Sequence, residues 1–316
     1  MTFSLVIPVY KNEGSIAELV AAVRAMDVSL DGQLEAVFVV DGSPDRSWAL
    51  LSELLPASGL DARLILLSRN FGSFAAIRAG LEAAQGEHFA VMAADLQEPP
   101  ELIVQAFREV AADSADVVIG TREARDDPLS ARIASSIFWG LYRRFVVPEM
   151  PEGGVDIFAC NRRFRDELLA MRESHSSLIS MLFWLGFRRK AISYRRGERR
   201  HGKSAWTLRK KFRYLADSVF AFTDLPNRML IWIGAFGVAV SALLGIVTAI
   251  ARVTGLIDVP GYAATIVVIA FFAALNLFGL GLVGSYAWRA YENTKGRPIA
   301  IAQRTIAYAK PREPPG

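Results

Sequence analysis

The sequence predicts an α/β fold: a parallel sheet covered by helices on both faces, followed by a two-helix membrane hairpin. Apolar runs alternate with segments of helical period from residue 3 to about 121, and each run ends in a polar loop. Two long stretches nearly free of charge then follow residue 226. Alternating buried strands and amphipathic helices are the mark of βαβ units. A hydrophobic content of 52% over 316 residues is high for a wholly soluble chain and fits the membrane segments.

Strands are expected at Leu5–Val9, Leu34–Val40, Ala62–Leu67, Phe89–Ala93 and Asp116–Ile119. Helices are expected at Ser15–Met26, Ser47–Leu55, Phe74–Ala84 and Glu101–Ala112, with Ser15 and Glu18 spaced as a capping box. The strand-end loops hold the unusual polar residues: Pro8–Glu13, Asp41–Asp45, Ser68–Gly72 and Asp95–Glu98. Four such loops on one edge of a parallel sheet form a crevice suited to a nucleotide. No G-x-G-x-x-G follows the first strand and no P-loop motif occurs, so the nucleotide is held by other means.

The fourth loop is the most informative. Asp95 and Gln97 lie two apart at the end of an apolar run, so in an extended segment both point one way and offer oxygen ligands to one divalent cation. The competing reading is a plain strand end followed by a turn before Pro99 and Pro100.

A single cysteine, Cys160, excludes an intramolecular disulfide, and three His without ligand spacing argue against zinc. The N-terminus reads as a first strand, not a signal peptide. Ala131–Val147 has apolar residues at helical spacing and reads either as a surface-lying membrane helix or as a packing helix. Gly153–Phe158 reads as a turn into a strand whose Asp156 faces the crevice or acts as a structural partner. Cations crowd into residues 188 to 213, just before the first uncharged stretch, and Trp206–Phe222 reads as a basic amphipathic helix. Such a patch suits a diphosphate or anionic lipid, and without interleaved aromatics beside a membrane segment it does not suit nucleic acid.

Leu230–Ile250 and Ala263–Trp288 are each long enough to cross about 30 Å of hydrocarbon. Lys and Arg flank both outer ends while the connecting loop holds only Arg252 and Asp258, which places both termini in the cytoplasm. Small residues at Gly237, Ser241, Gly245, Ala270 and Ala274 permit close packing in the hairpin or in a homo-oligomer, up to a tetramer. The expected organisation is a catalytic domain over 1–205, an interfacial helix over 206–226, a hairpin over 227–290 and a cytoplasmic tail over 291–316.

VIPVYKNE, VVDGSPDRS, LSRNFGSFAAIRAGL, AADLQEPPE and GTREAR are followed by Arg196, Arg199, Gly202 and Ser204 in R-x-x-R-x-x-G-x-S and by two membrane helices. This combination resembles the polyprenyl-phosphate glycosyltransferases of glycosyltransferase family 2, relatives of dolichol-phosphate mannose synthase and the bactoprenol glucosyltransferases, over about residues 3 to 300. The resemblance implies a GT-A (Rossmann-like) catalytic domain, a nucleotide-sugar donor, Mg²⁺ or Mn²⁺, and polyprenyl phosphate as acceptor at the cytoplasmic face of the inner membrane. Transfer of a hexose with inversion is implied, from UDP-glucose or a similar donor, with GDP-mannose as a second candidate. By position, Pro8, Tyr10, Glu13, Asp41, Arg69, Asp95 and Arg122 are implied to contact the nucleotide sugar. Asp95 and Gln97 correspond to the family's metal motif. Arg122, Arg196, Arg199, Lys203 and Ser204 are implied to meet diphosphate or acceptor phosphate, and Asp156 to orient the sugar or the acceptor. Two departures stand out: Val40 replaces the first acid of the family's Asp-Asp-Gly-Ser pattern, and Ala205 replaces the usual Lys after Ser204. The competing functions are transfer to another lipid acceptor and a non-catalytic membrane subunit that binds nucleotide sugar.

Overall fold

A computed structural model describes residues 2–122, 140, 142–144, 147–151, 154–173, 177–195, 197, 218–220, 223, 225–254 and 262–310. Its centre is one eight-stranded sheet, with β1 (Phe3–Val9), β2 (Leu34–Val40), β3 (Asp61–Leu67), β4 (His88–Val91), β5 (Val117–Arg122), β6 (Val155–Asn161), β7 (Arg189–Tyr194) and β8 (Ala302–Tyr308). The order is β7-β5-β6-β4-β1-β2-β3-β8.

β2 is buried along its whole length, as expected of a central strand covered on both faces. Leu5, Ile7 and Val9 of β1 pack on one face, under α1 (Ile16–Ser29), α2 (Ser47–Leu54) and α4 (Pro100–Ala111). Val6 faces the other way, toward α3 (Ser73–Ala83), α5 (Arg162–Ala170) and α6 (Leu178–Trp184). The sheet is mixed, which corrects the expectation of a purely parallel one. β6 runs antiparallel between β4 and β5, and β8 runs antiparallel to β3. This is a GT-A-like α/β arrangement. β1 lies between β2 and β4, so the chain reverses its direction of winding there, and the loops after β1 and β4 flank the switch point where open sheets bind ligands.

The expected capping box at α1 is absent. Ser15 makes no side-chain cap; its Oγ lies 3.0 Å from the carbonyl oxygen of Ala94 and 3.1 Å from that of Asn12. The residue ties the loop after β1 to the end of β4 instead.

Two further helices, α7 (Leu225–Val253) and α8 (Tyr262–Thr294), are long enough to cross a bilayer. Among the described residues one stretch, Phe271–Thr294, meets both the length and the apolarity expected of a span. The helices pack antiparallel: a Cβ on Gly237 would lie 3.3 Å from Phe272, and one on Gly279 would lie 3.6 Å from Leu230. The helical turn at Ser218–Phe220 touches both α8 and the helices that cover the sheet. Ser218 Oγ accepts a 3.2 Å hydrogen bond from Tyr142, whose hydroxyl also meets Ser180 of α6, and Phe220 packs on Tyr286 of α8.

Part of the basic cluster is structural. Arg188 binds Asp113 and Asp116, Arg189 pairs with Glu149, and Lys190 reaches Glu109 of α4 at 2.8 Å. Exposed pairs of this kind contribute about 0–1 kcal/mol each, but the Asp116 carboxylate is largely shielded and also accepts from Asn161 Nδ2 at 2.9 Å. Hydrogen bonding from Arg188 holds its carboxyl below the usual carboxylate range. A depressed folded value stabilises the native state above the unfolded pKa of about 3.9 and loses that contribution as pH falls through the folded value. We therefore expect Asp116→Asn to flatten the acid limb of stability, measured by urea unfolding at pH 5 and pH 3. A drop as large as that of the wild type would refute this assignment.

Candidate active site

The parallel strands β1, β2, β3, β4, β5 and β7 all end on one edge, and the sequence-predicted loops gather there. The loops after β1 and β2 are locked together. Lys11 N donates to Ser43 Oγ at 2.8 Å and Asn12 N to Ser47 Oγ at 3.2 Å. Glu13 N donates to Asp45 Oδ2 at 3.1 Å, while Arg46 N returns a bond to Glu13 Oε2 at 3.1 Å. Burial raises the Asp45 carboxyl, but hydrogen bonds from Ser43, Ser47 and Glu13 outweigh it and leave the group below its ordinary value. An ionised Asp45 is what the clamp needs. Pro8 and Tyr10 remain half-buried at the crevice, and the Lys11 ammonium sits 5.5 Å from the Tyr10 ring.

Asp41 is 2% exposed and turns inward. Its oxygens accept from Phe71 N at 2.7 Å and Gly72 N at 2.8 Å, so the carboxylate fixes the loop between β3 and α3. Burial pushes its carboxyl up from the usual range, against those two N–H groups and the nearby Arg69 charge. Gly42 is required here, because its φ is +55° and a Cβ would collide with the backbone of Arg69 and Asn70. Arg69 is exposed at the loop tip, with its guanidinium 4.0 Å from the Phe71 ring centre.

The loop after β4 turns at Leu96, whose φ of +52° is rare for a branched side chain. Asp95 is half-buried, Gln97 is 9% exposed and Glu98 is fully buried. Gln97 is tied to the segment after β7 twice: its carbonyl oxygen accepts from Gly197 N at 2.8 Å, and its Nε2 donates to the Gly197 carbonyl at 3.2 Å. This places the Asp95–Gln97 loop against the start of the Arg-rich segment a hundred residues later. It also orients the amide, with Nε2 turned toward the Gly197 carbonyl. Arg122 ends β5 on the same edge, in register with Tyr194.

Asp156 lies one residue into β6, whose first residue, Val155, is in register with Thr121, so it too falls on the crevice edge. Arg196, Arg199, Lys203 and Ser204 lie outside the described residues. Sequence reasoning did not single out Ser43, Ser47 and Asn70, which brace the crevice; Asn70 Nδ2 donates to the Asp41 carbonyl at 3.2 Å. Their signal was position: Ser43 and Asn70 lie in strand-end loops, and Ser47 opens α2 just after one.

Oxygen donors dominate the Asp95–Glu98 turn, and no group of three or more His, Cys, Asp or Glu able to hold a metal occurs among the described residues. That donor set suits a hard cation bound by one or two side chains plus a ligand's phosphates, and not a dedicated all-protein cage.

Residues 4–194 match the family described as glycosyl transferase family 2. The undecaprenyl-phosphate 4-deoxy-4-formamido-L-arabinose transferase of Edwardsiella ictaluri (strain 93-146) is 34% identical over 322 residues, covering 98% of this chain and 96% of that protein. The uncharacterized glycosyltransferase sll0501 of Synechocystis sp. is 29% identical over 302 residues, 94% of this chain and 93% of its own. Among solved structures, the mannosyltransferase PcManGT from Pyrobaculum calidifontis, in complex with GDP-Man and Mn²⁺, is similar at 18% identity and a TM-score of 0.45, covering 88% of this chain and 86% of that one. With a match over residues 4–194 and a relative 34% identical along nearly its whole length, the chain belongs to glycosyl transferase family 2 and is a glycosyltransferase.

Proposed function

We propose that the protein transfers a sugar, with inversion, from a nucleotide diphosphate donor to polyprenyl phosphate at the cytoplasmic face of a membrane. The observation that carries this reading is the double hydrogen bond between Gln97 and Gly197, which joins an oxygen-donor loop to an arginine-rich segment. The first suits the donor diphosphate and the second an anionic acceptor. The similarity to an undecaprenyl-phosphate sugar transferase over nearly its full length supports the acceptor. A UDP-hexose is the first donor to test, then GDP-mannose and the nucleotide form of the sugar in that relative's name.

The two long helices are read as a membrane hairpin with the 1–205 domain and both termini in the cytoplasm. Their antiparallel packing supports this reading, as does the return of the chain after α8 to the sheet.

Asp95 and Gln97 would hold Mg²⁺ or Mn²⁺, and the chemistry such an ion would supply is neutralisation of the charge growing on the leaving diphosphate. The chain's own groups do the rest. The loops of Pro8–Glu13 and Ser68–Gly72, braced by Asp45 and Asp41, border the base and ribose, with Tyr10, Glu13 and Arg69 in reach. Arg122 lies at the diphosphate end of the crevice. The acceptor is a phosphate monoester whose second pKa is about 6, so its oxygen is already a nucleophile at neutral pH. No general base is required; cations must instead offset repulsion between acceptor and donor, the role given to Arg196, Arg199 and Lys203, with the Ser204 hydroxyl as a neutral donor to phosphate. Asp156 is assigned to orient sugar hydroxyls or the acceptor.

Asp95→Asn is expected to lower metal-dependent transfer by about 10²-fold or more while the protein stays folded and membrane-bound. Incubating membranes with radiolabelled nucleotide sugars and undecaprenyl phosphate, then counting extracted lipid, measures it; unchanged turnover removes Asp95 from the site. Arg199→Ala should impair turnover or acceptor KM far more than Arg108→Ala on α4, where the exposed Arg108 donates to the Ser29 carbonyl at 3.2 Å. Equal effects would reduce the basic segment to general lipid attraction. Label passing to diacylglycerol or ceramide, and none to polyprenyl phosphate, would overturn the acceptor.

A further inference from the structure

We propose that residues 295–310 are a strap that fixes the height of the crevice above the bilayer, making this segment a positioning element of the transfer reaction. The inference rests on the reading of α8 as a membrane helix.

The strap begins at a defined exit. α8 ends at Thr294, and Gly296 follows with φ +58°, a turn that side-chain-bearing residues rarely make. Pro298 then prevents the helix from resuming. At this end Lys295 pairs with Glu292 and its ammonium lies 4.3 Å from the Tyr291 ring centre and 5.0 Å from that of Trp288. Aromatics with a cation at a helix end are characteristic of a membrane–water interface.

The first anchor lies at the crevice. The Ile301 carbonyl accepts from Ser68 N at 2.9 Å, immediately before Arg69 and Asn70 of the donor loop. Only seven residues, 295 to 301, separate the helix end from this bond, a reach of at most about 25 Å. The strand-end edge, not its opposite, is therefore held near the end of α8. From there β8 runs down β3, from Leu67 opposite Ala302 to Ala62 opposite Tyr308. The Arg304 guanidinium lies over Trp48 of α2 at 5.9 Å.

The far end is pinned. Lys310 N donates to Asp61 Oδ1 at 2.9 Å, and its Nζ reaches Asp27 Oδ2 at 2.8 Å, on a carboxylate side chain only 5% exposed. Asp27 also accepts from Leu34 N at 3.1 Å, so the clip reaches the start of β2. A tail with no positional role would not need a seven-residue strand and an ion pair to a buried carboxylate. A segment resisting displacement of the domain from the membrane would.

The test lengthens the strap without touching its anchors. Eight Gly/Ser residues are inserted after Gly296 in the full chain, reconstituted in phosphatidylcholine/phosphatidylglycerol vesicles. Val28, 72% exposed on α1, is changed to Cys in both forms for dye attachment, since Cys160 is buried. Energy transfer from this dye to a headgroup acceptor dye reads the height. We expect a broadened height distribution, a fall of about tenfold or more in kcat/KM for undecaprenyl phosphate, and a Kd for UDP within about twofold of the parent. An unchanged height distribution overturns the strap whatever the activity; a broadened one with unchanged transfer overturns its positioning role. If the parent transfers nothing to undecaprenyl phosphate, the proposed acceptor fails and the height measurement alone decides the strap. A four-residue insertion, read the same way, replaces the longer one if that form does not fold.

Discussion

Two hydrogen bonds between Gln97 and Gly197 hold together parts of the chain that lie a hundred residues apart in sequence. The oxygen-rich turn after β4 belongs to the parallel half of the sheet, and Gly197 lies in the arginine-rich stretch of sequence that follows β7. Each bond contributes on the order of 1 kcal/mol net, so neither decides whether the protein folds. Their effect is geometric. They are made possible by the antiparallel insertion of β6, which sets β5 and β7 parallel to β4, so that β7 ends on the same edge as β4 and hands Gly197 to Gln97.

Much of the sheet was legible because burial leaves a mark in composition. β1 to β4 fall within one or two residues of their expected bounds, since central strands covered on both faces must be apolar throughout. β8 left no such mark: it is an exposed edge strand whose pairing partner lies some 240 residues upstream. The Arg-Arg-Lys run of β7 read as part of a phosphate-seeking patch because its partners, Asp113, Asp116, Glu149 and Glu109, are distant in sequence. Local charge reveals that a cation is present but not which anion satisfies it.

The bonds around the crevice were less legible, for a related reason. Asp41 and Glu13 were found as polar residues at strand ends, and the structure puts both at the predicted edge. Their carboxylates are engaged with backbone N–H groups of neighbouring loops. Ser15 was at the right place for a helix cap, yet its hydroxyl lies against Ala94 across the switch point. Sequence spacing reports which groups could bond locally, whereas a site at the convergence of several loops is dominated by bonds between loops.

Those bonds explain how the crevice keeps its unusual backbone. Lys11 after β1 and Leu96 after β4 both adopt positive φ, and these two loops flank the switch point. Conformations of this kind cost roughly 1–3 kcal/mol each and persist only where the surroundings over-determine them. Lys11 is bracketed by bonds from its own N–H to Ser43 and from the next two N–H groups to Ser47 and Asp45; Leu96 precedes the paired Gln97. Among the described residues, the other two non-glycine positions with positive φ, Asp31 and Asp113, lie in turns at the opposite edge, where an Asp side chain tolerates that region. Strain carried by a Lys and a Leu therefore gathers where the donor is proposed to bind. The inter-loop clamps hold it in place before any ligand arrives, so binding need not supply the energy to form the crevice.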